Sequence, residues 1–233
     1  MLKVYQFHPV WGLLDGSPFC AKLLAWLKLA GVEHETRNGV HHMKRSPKGK
    51  MPYVEFDDGT IVGDSNFVIE RLTADHNDPL DGDLNPQQKA ITHLVRRMLD
   101  ENLYWCIVYF RWIDRDNFDN HTVPAFFGRM PAWQRAIIPG IVRKKIAKSL
   151  HGQGVGRHSR GEIGHIGQLD LQSLIELLGD QPYFFGDRPH AIDVYVYAFV
   201  SAILRPPHQS PMQQFAKGTP LDAHCQRMEE VLK

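Results

Sequence analysis

The N-terminal part of the chain shows two different spacings of apolar side chains. Residues 2–7 alternate with a period of two and are rich in β-forming residues, which predicts a strand. Residues 19–30 place apolar side chains every three or four positions, which predicts a helix. Ser17-Pro18 offers an N-cap followed by a proline at the first helical position, and Gly31 offers a C-terminal cap. A strand and then a helix are therefore expected.

Two further strand regions and a second helix follow. Residues 32–36 are a short strand candidate, and residues 53–62 have the pattern of a strand, a tight turn and another strand. Asp64-Ser65 caps a helix over about residues 66–74. This order of elements predicts an α/β domain over residues 1–75.

The rest of the chain is dominated by helical periodicity. The polar stretch 76–86, which carries prolines and a glycine, predicts an interdomain linker. Residues 87–233 are then predicted to form an all-α domain. The candidate helices cover residues 87–114, 131–150, 160–178, 191–204 and 221–232.

Composition and charge exclude several classes of protein. The chain has 233 residues, of which 43% are hydrophobic and 23% charged, as expected for a globular protein that buries a core. A disordered chain, a collagen and a coiled-coil rod are excluded. Lys and Arg number 27 against 26 Asp and Glu, so the net charge of +1 gives no reason to expect nucleic acid as a partner.

One segment departs from this balance. Residues 120–161 contain no Asp or Glu and carry these basic residues: Arg129, Arg135, Arg143, Lys144, Lys145, Lys148, Arg157 and Arg160. The segment fits a solvated basic face that acidic helices offset. It also fits a positive rim beside a site for anionic ligands or anionic lipid.

The number of cysteines and the hydropathy of the chain indicate the cellular compartment of the protein. Cys20, Cys106 and Cys225 are too few and too far apart for a disulfide scaffold, which fits a reducing compartment. The most apolar run, residues 191–204, contains Asp193 and is shorter than the ~20 residues that a membrane span needs. We expect a cytoplasmic protein without a secretory signal or an integral membrane segment. The histidines are scattered and indicate no metal site.

Several short motifs resemble one family. Ser17–Cys20 at a helix start, Lys48–Pro52 before a strand and Gly63–Asn66 after a hairpin are similar, in order and spacing, to the N-terminal domain of glutathione transferases. The helical half resembles the branch that contains metaxins, failed-axon-connections proteins and their bacterial relatives. The motifs that carry this second resemblance are Arg111–Asp114, Gln153–Ser159 and Phe184–Pro189.

The resemblance implies a fold and a function. The fold is a thioredoxin-like N-terminal domain followed by an all-α helical bundle, with a cis peptide bond before Pro52. The function is that of a homodimeric transferase that takes glutathione as co-substrate and directs its thiol at a small hydrophobic electrophile. Two alternatives stay open: a metaxin-like binding module without turnover, and a glutathione-dependent thiol reductase that uses Cys20.

The resemblance also implies the binding residues for glutathione. Asp64 and Ser65 would hold the γ-glutamyl end, where a helix N-terminus offers N–H donors to a carboxylate. The main chain of Met51, next to Pro52, would pair with the cysteinyl unit. Lys50, or Lys48, would meet the glycyl carboxylate, although a solvated lysine explains either residue equally well.

Thiol activation points to Ser17. A free thiol has a pKa near 8.5, so only about 3% is thiolate at pH 7. Lowering that pKa to about 6.5 requires ~2.7 kcal/mol, whereas a helix N-terminus contributes only ~0.3–1 kcal/mol. A hydrogen bond to sulfur must supply much of the rest, and the resemblance assigns it to the Ser17 hydroxyl. A plain N-cap is the competing interpretation of Ser17.

Other candidate residues have structural explanations of comparable weight. Cys20 lies one turn into the helix and is expected to be a small packed residue. Tyr5, in the first strand, is expected to pack in the core. Asp193 is expected to cap a buried helix, with its partner unassigned. Arg157 and His158 either face the cleft or form a polar contact between helices.

Overall fold

The computed structural model describes residues 1–233 and contains one four-stranded sheet. Strands β1 (Leu2–Gln6), β2 (His34–Asn38), β3 (Tyr53–Glu55) and β4 (Ile61–Gly63) lie in the order β2-β1-β3-β4. β1 pairs parallel with β2 and antiparallel with β3, and β3 pairs antiparallel with β4. The sheet and its two helices confirm the predicted α/β fold class.

The end of the first helix explains why β2 starts later than predicted. Helix α1 (Pro18–Leu29) ends with Gly31 at a positive φ of 67°. The N–H of Gly31 bonds to the Lys28 carbonyl, and the N–H of Val32 bonds to the Leu27 carbonyl. This Schellman arrangement uses Val32 to close the helix, so the predicted strand 32–36 is wrong by two residues and β2 begins at His34.

The remaining helices follow in chain order. They are α2 (Ser65–Asp75), α3 (Pro86–Met98), α4 (Tyr104–Val108), α5 (Arg115–Asn117), α6 (Val123–Phe127), α7 (Ala132–Gln153), α8 (Arg160–Leu178), α9 (Ala191–Leu204), α10 (Pro211–Ala216) and α11 (Pro220–Val231). Short 3-10 helices cover Val40–Arg45 and Val155–Arg157. No helix is both long enough and apolar enough to cross a bilayer.

The predicted helix 87–114 is present but is not regular. π-helical stretches at Leu99–Leu103 and Tyr109–Ile113 interrupt it. Helices α5, α6 and α10 were not predicted, because they are too short to show a periodic apolar pattern. The limits of the two domains and of the linker stay predictions.

Helix α9 is the centre of the helical half, since its residues Ala191–Ile203 are all buried. Its start is held by Asp193, which accepts the N–H of His190 at 2.9 Å and the N–H of Phe184 at 3.0 Å. Nε2 of His224 lies 2.8 Å from the same carboxylate. The structural role expected for Asp193 is confirmed, and its partners are now identified.

A buried ionic cluster joins the two halves of the molecule. Lys22 on α1 is fully buried, and its Nζ donates to both carboxylate oxygens of Asp100, at 2.9 and 3.1 Å. It also donates to Oδ1 of Asn66 at 2.9 Å, while Nδ2 of Asn66 donates to Asp100 at 2.8 Å. Burial lowers the pKa of Lys22, and the charge of Asp100 offsets only part of this lowering. The ammonium also lies 5.1–5.9 Å from the rings of Phe19, Tyr195 and Phe199.

Breaking this cluster should destabilise the fold strongly. Lys22→Met leaves the Asp100 carboxylate buried without its cation, which costs ~3–5 kcal/mol of unfolding free energy. Urea unfolding at pH 7 measures the loss. Lys22→Met combined with Asp100→Leu should recover part of it, because the uncompensated charge is then removed.

The matched control is Lys89, whose Nζ also lies 2.9 Å from a carboxylate, that of Asp78, but on the surface. Lys89→Met should cost less than ~1 kcal/mol. A Lys22→Met variant as stable as Lys89→Met would contradict the role given to the cluster.

Candidate active site

Ser17 carries a hydroxyl at the start of α1 that does not cap its own helix. The residue is half-buried and extended, with φ −98° and ψ 126°. Its side chain makes no capping hydrogen bond, although it occupies the N-cap position. The plain N-cap interpretation is therefore wrong for the hydroxyl, whose partner within the protein is the Cys20 thiol and which lies beside the helix N-terminus.

The start of α2 forms a second helix N-terminus with an unusual backbone. Asp64 has a φ of 87°, which is uncommon for a residue with a side chain. Its Oδ1 accepts the N–H of Asn66 at 2.9 Å. Ser65 is buried, and its hydroxyl has no hydrogen-bond partner within the protein. Backbone conformations of this kind cost ~1–3 kcal/mol and cluster at ligand sites.

Met51 and Pro52 lie between these two helix starts. The peptide bond between them is cis, as the resemblance implied. The carbonyl of Pro52 accepts the N–H of Asp64 at 3.4 Å, which places the segment against α2. Neither the N–H nor the carbonyl of Met51 bonds within the protein. Met51 therefore carries a free main-chain donor and acceptor.

Cys20 connects this segment to α1 by packing. It is fully buried in a small apolar cluster with Tyr5, Met51 and Tyr53. Burial raises the pKa of its thiol well above the usual value, and the neighbouring Asp15 raises it further. The packed position expected for Cys20 is confirmed, and such a thiol is not a reactive thiolate.

The side chain of Tyr5 contacts the neighbouring strand of the sheet. Its ring stacks on Tyr53 with centroids 4.4 Å apart, and its hydroxyl donates to Glu55 at 2.9 Å. Burial raises the pKa of the phenol. The core position expected for Tyr5 is confirmed.

The two lysines proposed for the glycyl carboxylate differ in their surroundings. The side chain of Lys50 is exposed and has no partner. Nζ of Lys48 lies 4.0 Å from the ring centroid of Phe67 on α2. Lys48 thus stands beside the start of α2, whereas Lys50 projects into solvent.

The basic residues of the segment 120–161 make hydrogen bonds and an ion pair elsewhere in the helical half. Arg143 donates to the carbonyls of Trp112 and Ile113, and Arg160 pairs with Asp114. Arg157 is exposed and donates to the carbonyl of His151, which fits a polar contact between helices.

Sequence reasoning missed two buried ionisable residues next to Ser17. Asp15 is 1% exposed, and its Oδ1 accepts the N–H of Ser17 at 2.8 Å. Burial raises its pKa to about 7, against the lowering effects of the Ser17 N–H, the Cys20 thiol, the main chain of Phe7 and the charge of Arg111. A lone aspartate in a loop gave no sequence signal.

Arg111 is the second of these residues. It is 4% exposed and donates to the carbonyls of Gly16, at 2.6 Å, and Ala202, at 3.3 Å. Burial lowers its pKa to about 10. The sequence placed Arg111 in a family motif but assigned it no partner.

Asp15→Asn should stabilise the fold increasingly as pH rises. The pKa of Asp15 is raised from 3.8 to about 7 in the folded protein. The folded protein therefore holds this proton more tightly than the unfolded chain and loses stability as pH rises through that window. Asparagine keeps an oxygen for the Ser17 N–H but cannot ionise. The stability difference from wild type, from urea unfolding between pH 4 and 8, should grow by up to ~1.4 kcal/mol per pH unit. A difference that stays constant with pH would contradict the assignment.

Comparison with known proteins identifies the family. Residues 18–117 match the family model for the glutathione S-transferase N-terminal domain, and residues 167–228 match a model for the glutathione S-transferase C-terminal domain. An isoprene-epoxide–glutathione S-transferase of Rhodococcus sp. (strain AD45) is 34% identical over 212 residues, which cover 90% of this chain and 89% of the relative.

More distant relatives have other names. Failed axon connections of Drosophila melanogaster is 32% identical over 87% of this chain, and the chain spans 50% of that protein. Metaxin-1 of Mus musculus is 24% identical over 88% of this chain and 66% of its own length.

Solved structures share the whole fold. The β-etherase LigF from Sphingobium sp. strain SYK-6 superposes with a TM-score of 0.70 at 19% identity, covering 99% of this chain and 98% of its own. A glutathione S-transferase of Ceriporiopsis subvermispora, solved in complex with glutathione, superposes with a TM-score of 0.67 at 15% identity, covering 99% and 97%. The chain belongs to the glutathione S-transferase family.

Proposed function

We propose that this protein is a glutathione transferase in which Ser17 stabilises the thiolate of bound glutathione for attack on a hydrophobic electrophile. The observation that carries the proposal is the Ser17 hydroxyl, which makes no capping bond at the N-terminus of α1, together with the unpaired main chain of Met51, whose side chain packs on Cys20 of the same helix. The 34% identical relative named as a glutathione S-transferase supports the same activity.

The Ser17 hydroxyl and the N-terminus of α1 can together supply the free energy that activation of the thiol requires. A hydrogen bond to a charged group is worth ~1.5–3 kcal/mol, and a helix N-terminus adds ~0.3–1 kcal/mol. Together they match the ~2.7 kcal/mol that lowers a thiol pKa by two units. Cys20 cannot replace Ser17, because its thiol is buried and protonated.

The binding site for glutathione follows from the second helix N-terminus. The N–H groups at the start of α2 and the unpaired Ser65 hydroxyl suit the γ-glutamyl carboxylate. The carboxylate of Asp64 is the acceptor for the ammonium. The N–H and carbonyl of Met51 suit the cysteinyl unit, and Lys50 is the candidate for the glycyl carboxylate.

The electrophile to test first is an epoxide, since the relative from Rhodococcus is named for one. The thiolate sulfur would attack a ring carbon and form a carbon–sulfur bond. The carbon–oxygen bond breaks, and the alkoxide takes a proton from water. The protein's part is to hold the thiolate and to position the two reactants.

A non-catalytic binding module is the second candidate. The similarity to failed axon connections and metaxin-1 favours it. It requires the same glutathione-sized site but no thiolate stabilisation, so turnover distinguishes the two. A cytoplasmic location and a homodimer complete the proposal.

Ser17→Ala should slow conjugation by roughly 10- to 150-fold, the cost of losing a hydrogen bond to a charged group. The affinity for glutathione should change less, because the carboxylate and ammonium contacts remain. The measurement is the pH–rate profile with an epoxide and with an aryl halide, in which the thiol pKa of the variant should be raised.

Cys20→Ala is the matched control for Ser17→Ala. It should cost stability and leave the conjugation rate within a few fold. If Cys20→Ala abolishes turnover, or if a glutathione–Cys20 disulfide accumulates, the thiol reductase replaces the transferase. Wild-type protein that binds glutathione but converts no electrophile would support the binding module.

Ser65→Ala should weaken glutathione binding, because the γ-glutamyl carboxylate loses a donor. Wild-type protein should gain about 2.7 kcal/mol at a glutathione concentration 100 times the dissociation constant, which raises the melting temperature by roughly 5–10 °C. Ser149→Ala, an exposed serine on α7, is the control and should show the wild-type shift. If glutathione raises the melting temperature of Ser65→Ala as much as that of wild type, Ser65 does not belong to the glutathione site.

The homodimer is tested by mass in solution. Light scattering at micromolar concentration should give about twice the chain mass of 26.7 kDa. A value equal to the chain mass would contradict the dimer.

A further inference from the structure

The peptide unit between Gly16 and Ser17 is held from both ends by buried ionisable side chains. Its carbonyl, on Gly16, accepts from Nη1 of Arg111 at 2.6 Å. Its N–H, on Ser17, donates to Oδ1 of Asp15 at 2.8 Å. Because the carbonyl and the N–H of one peptide unit are fixed in a plane, the two contacts together determine its orientation.

Both side chains are buried without a complete set of partners. Oδ2 of Asp15 and Nε of Arg111 are inaccessible and make no hydrogen bond. Their charges act on each other, since each opposes the pKa shift that burial imposes on the other. Ions this deeply buried are costly to keep, so their retention around one peptide unit indicates a role beyond packing.

The surroundings leave no room for a side chain at Gly16. A Cβ at Gly16 would lie 2.8 Å from Cε1 of Phe126 and 3.2 Å from Cγ1 of Val10. The Trp11 ring packs against Phe126, with centroids 5.3 Å apart, and lies 5.3 Å from the Arg111 guanidinium. Trp11 and Gly16 of the loop before α1 thus contact residues of the helical half.

Arg111 is itself fixed by that half. Its Nη2 donates to the carbonyl of Ala202 on α9, and its own carbonyl accepts from the Thr122 hydroxyl at 2.6 Å. Thr122 lies 3.2 Å from Nε2 of His208, and burial lowers the pKa of His208 to about 3, so this neighbour adds no positive charge near neutral pH. The guanidinium position is therefore set by α9 and by the π-helical stretch 109–113.

We propose, resting on the proposed role of Ser17, that Asp15 and Arg111 are positioning residues that clamp the Gly16–Ser17 peptide unit. Through this clamp the helical half determines where the Ser17 hydroxyl points. The groups facing Asp15 are the Ser17 N–H, the Cys20 thiol, the main chain of Phe7 and the Arg111 charge, so Asp15 is the one carboxylate among them. Its protonation state then modulates the electrostatic field at the bound sulfur.

The test is a double-mutant cycle with Asp15→Ala and Arg111→Met, with folding checked by circular dichroism. Each single variant should lower kcat/KM by roughly 10- to 100-fold, with the KM for glutathione changed far less. The double variant should lose much less than the product of the two factors, because both residues act on one peptide unit. Amide hydrogen exchange at Ser17, followed by NMR, should be faster in both single variants.

A conservative variant of Asp15 separates loss of the carboxylate charge from misfolding, and a second buried aspartate provides its control. Asp15→Asn keeps the acceptor for the Ser17 N–H, so it should restore slow exchange and most of the rate, while its pH–rate profile loses the second ionisation near pH 7 and keeps that of the bound thiol. Asp170→Asn is the control: burial also raises the pKa of Asp170, to about 6, but its carboxylate bonds to Asn102. That variant should keep both ionisations.

Arg227→Met controls for Arg111→Met, since Arg227 is also a part-buried arginine that donates to a main-chain carbonyl, that of Pro182, but not to Gly16. It should leave Ser17 exchange and kcat/KM unchanged. Losses that simply multiply in the double variant, or Ser17 exchange equal to wild type in Asp15→Ala and Arg111→Met, would overturn the clamp. If wild-type protein has no turnover, the proposed function fails, whereas the exchange measurement still decides whether the clamp exists.

Discussion

The buried Lys22 ammonium is the constraint on which the arrangement of the site depends. A cation inside a protein must be neutralised and hydrogen-bonded where it lies: Asp100 from the helical half neutralises Lys22, and Asn66 from α2 accepts a hydrogen bond from it. Lys22 stands on α1, five residues after Ser17, and Asn66 follows Ser65. One ionic cluster therefore fixes the starts of two helices relative to each other and to the helical domain.

The two helix N-termini that this cluster holds both carry hydrogen-bond donors. The start of α1 offers the Ser17 hydroxyl, and the start of α2 offers N–H groups and the Ser65 hydroxyl. The segment at Met51 connects them, since it packs on Cys20 of α1 and bonds through Pro52 to Asp64. Positive helix ends, free donors and an unpaired main chain are what an anionic tripeptide with an ionisable thiol needs.

Local sequence patterns predicted those parts of the fold that local forces determine. The strand–helix order, the helix starts after Ser17 and Asp64, and the buried helix 191–204 follow from periodicity and capping signals, and all are present, although only Asp64 caps its helix with its side chain. The start of β2 was missed because Gly31 and Val32 complete a helix end. The π-helical stretches were missed because their side-chain spacing is close to that of an α-helix.

The buried ionisable residues near the site were missed for a different reason. Lys22 and Asp100 are 78 positions apart, and Arg111 and Gly16 are 95 apart. A charged residue whose partner is so distant along the chain gives no local signal, and Asp15 resembles any polar loop residue. Family resemblance located Ser17 and Ser65, whereas only the structure reveals the buried ions that hold them.

The most direct test of the account is the pKa of the glutathione thiol when bound to the wild-type protein. It can be titrated through the ultraviolet absorbance of the thiolate, without any electrophile. The account predicts a value near 6.5, well below the ~8.5 of a free thiol. A bound thiol that titrates like the free one would contradict thiolate stabilisation by Ser17 and with it the proposed reaction.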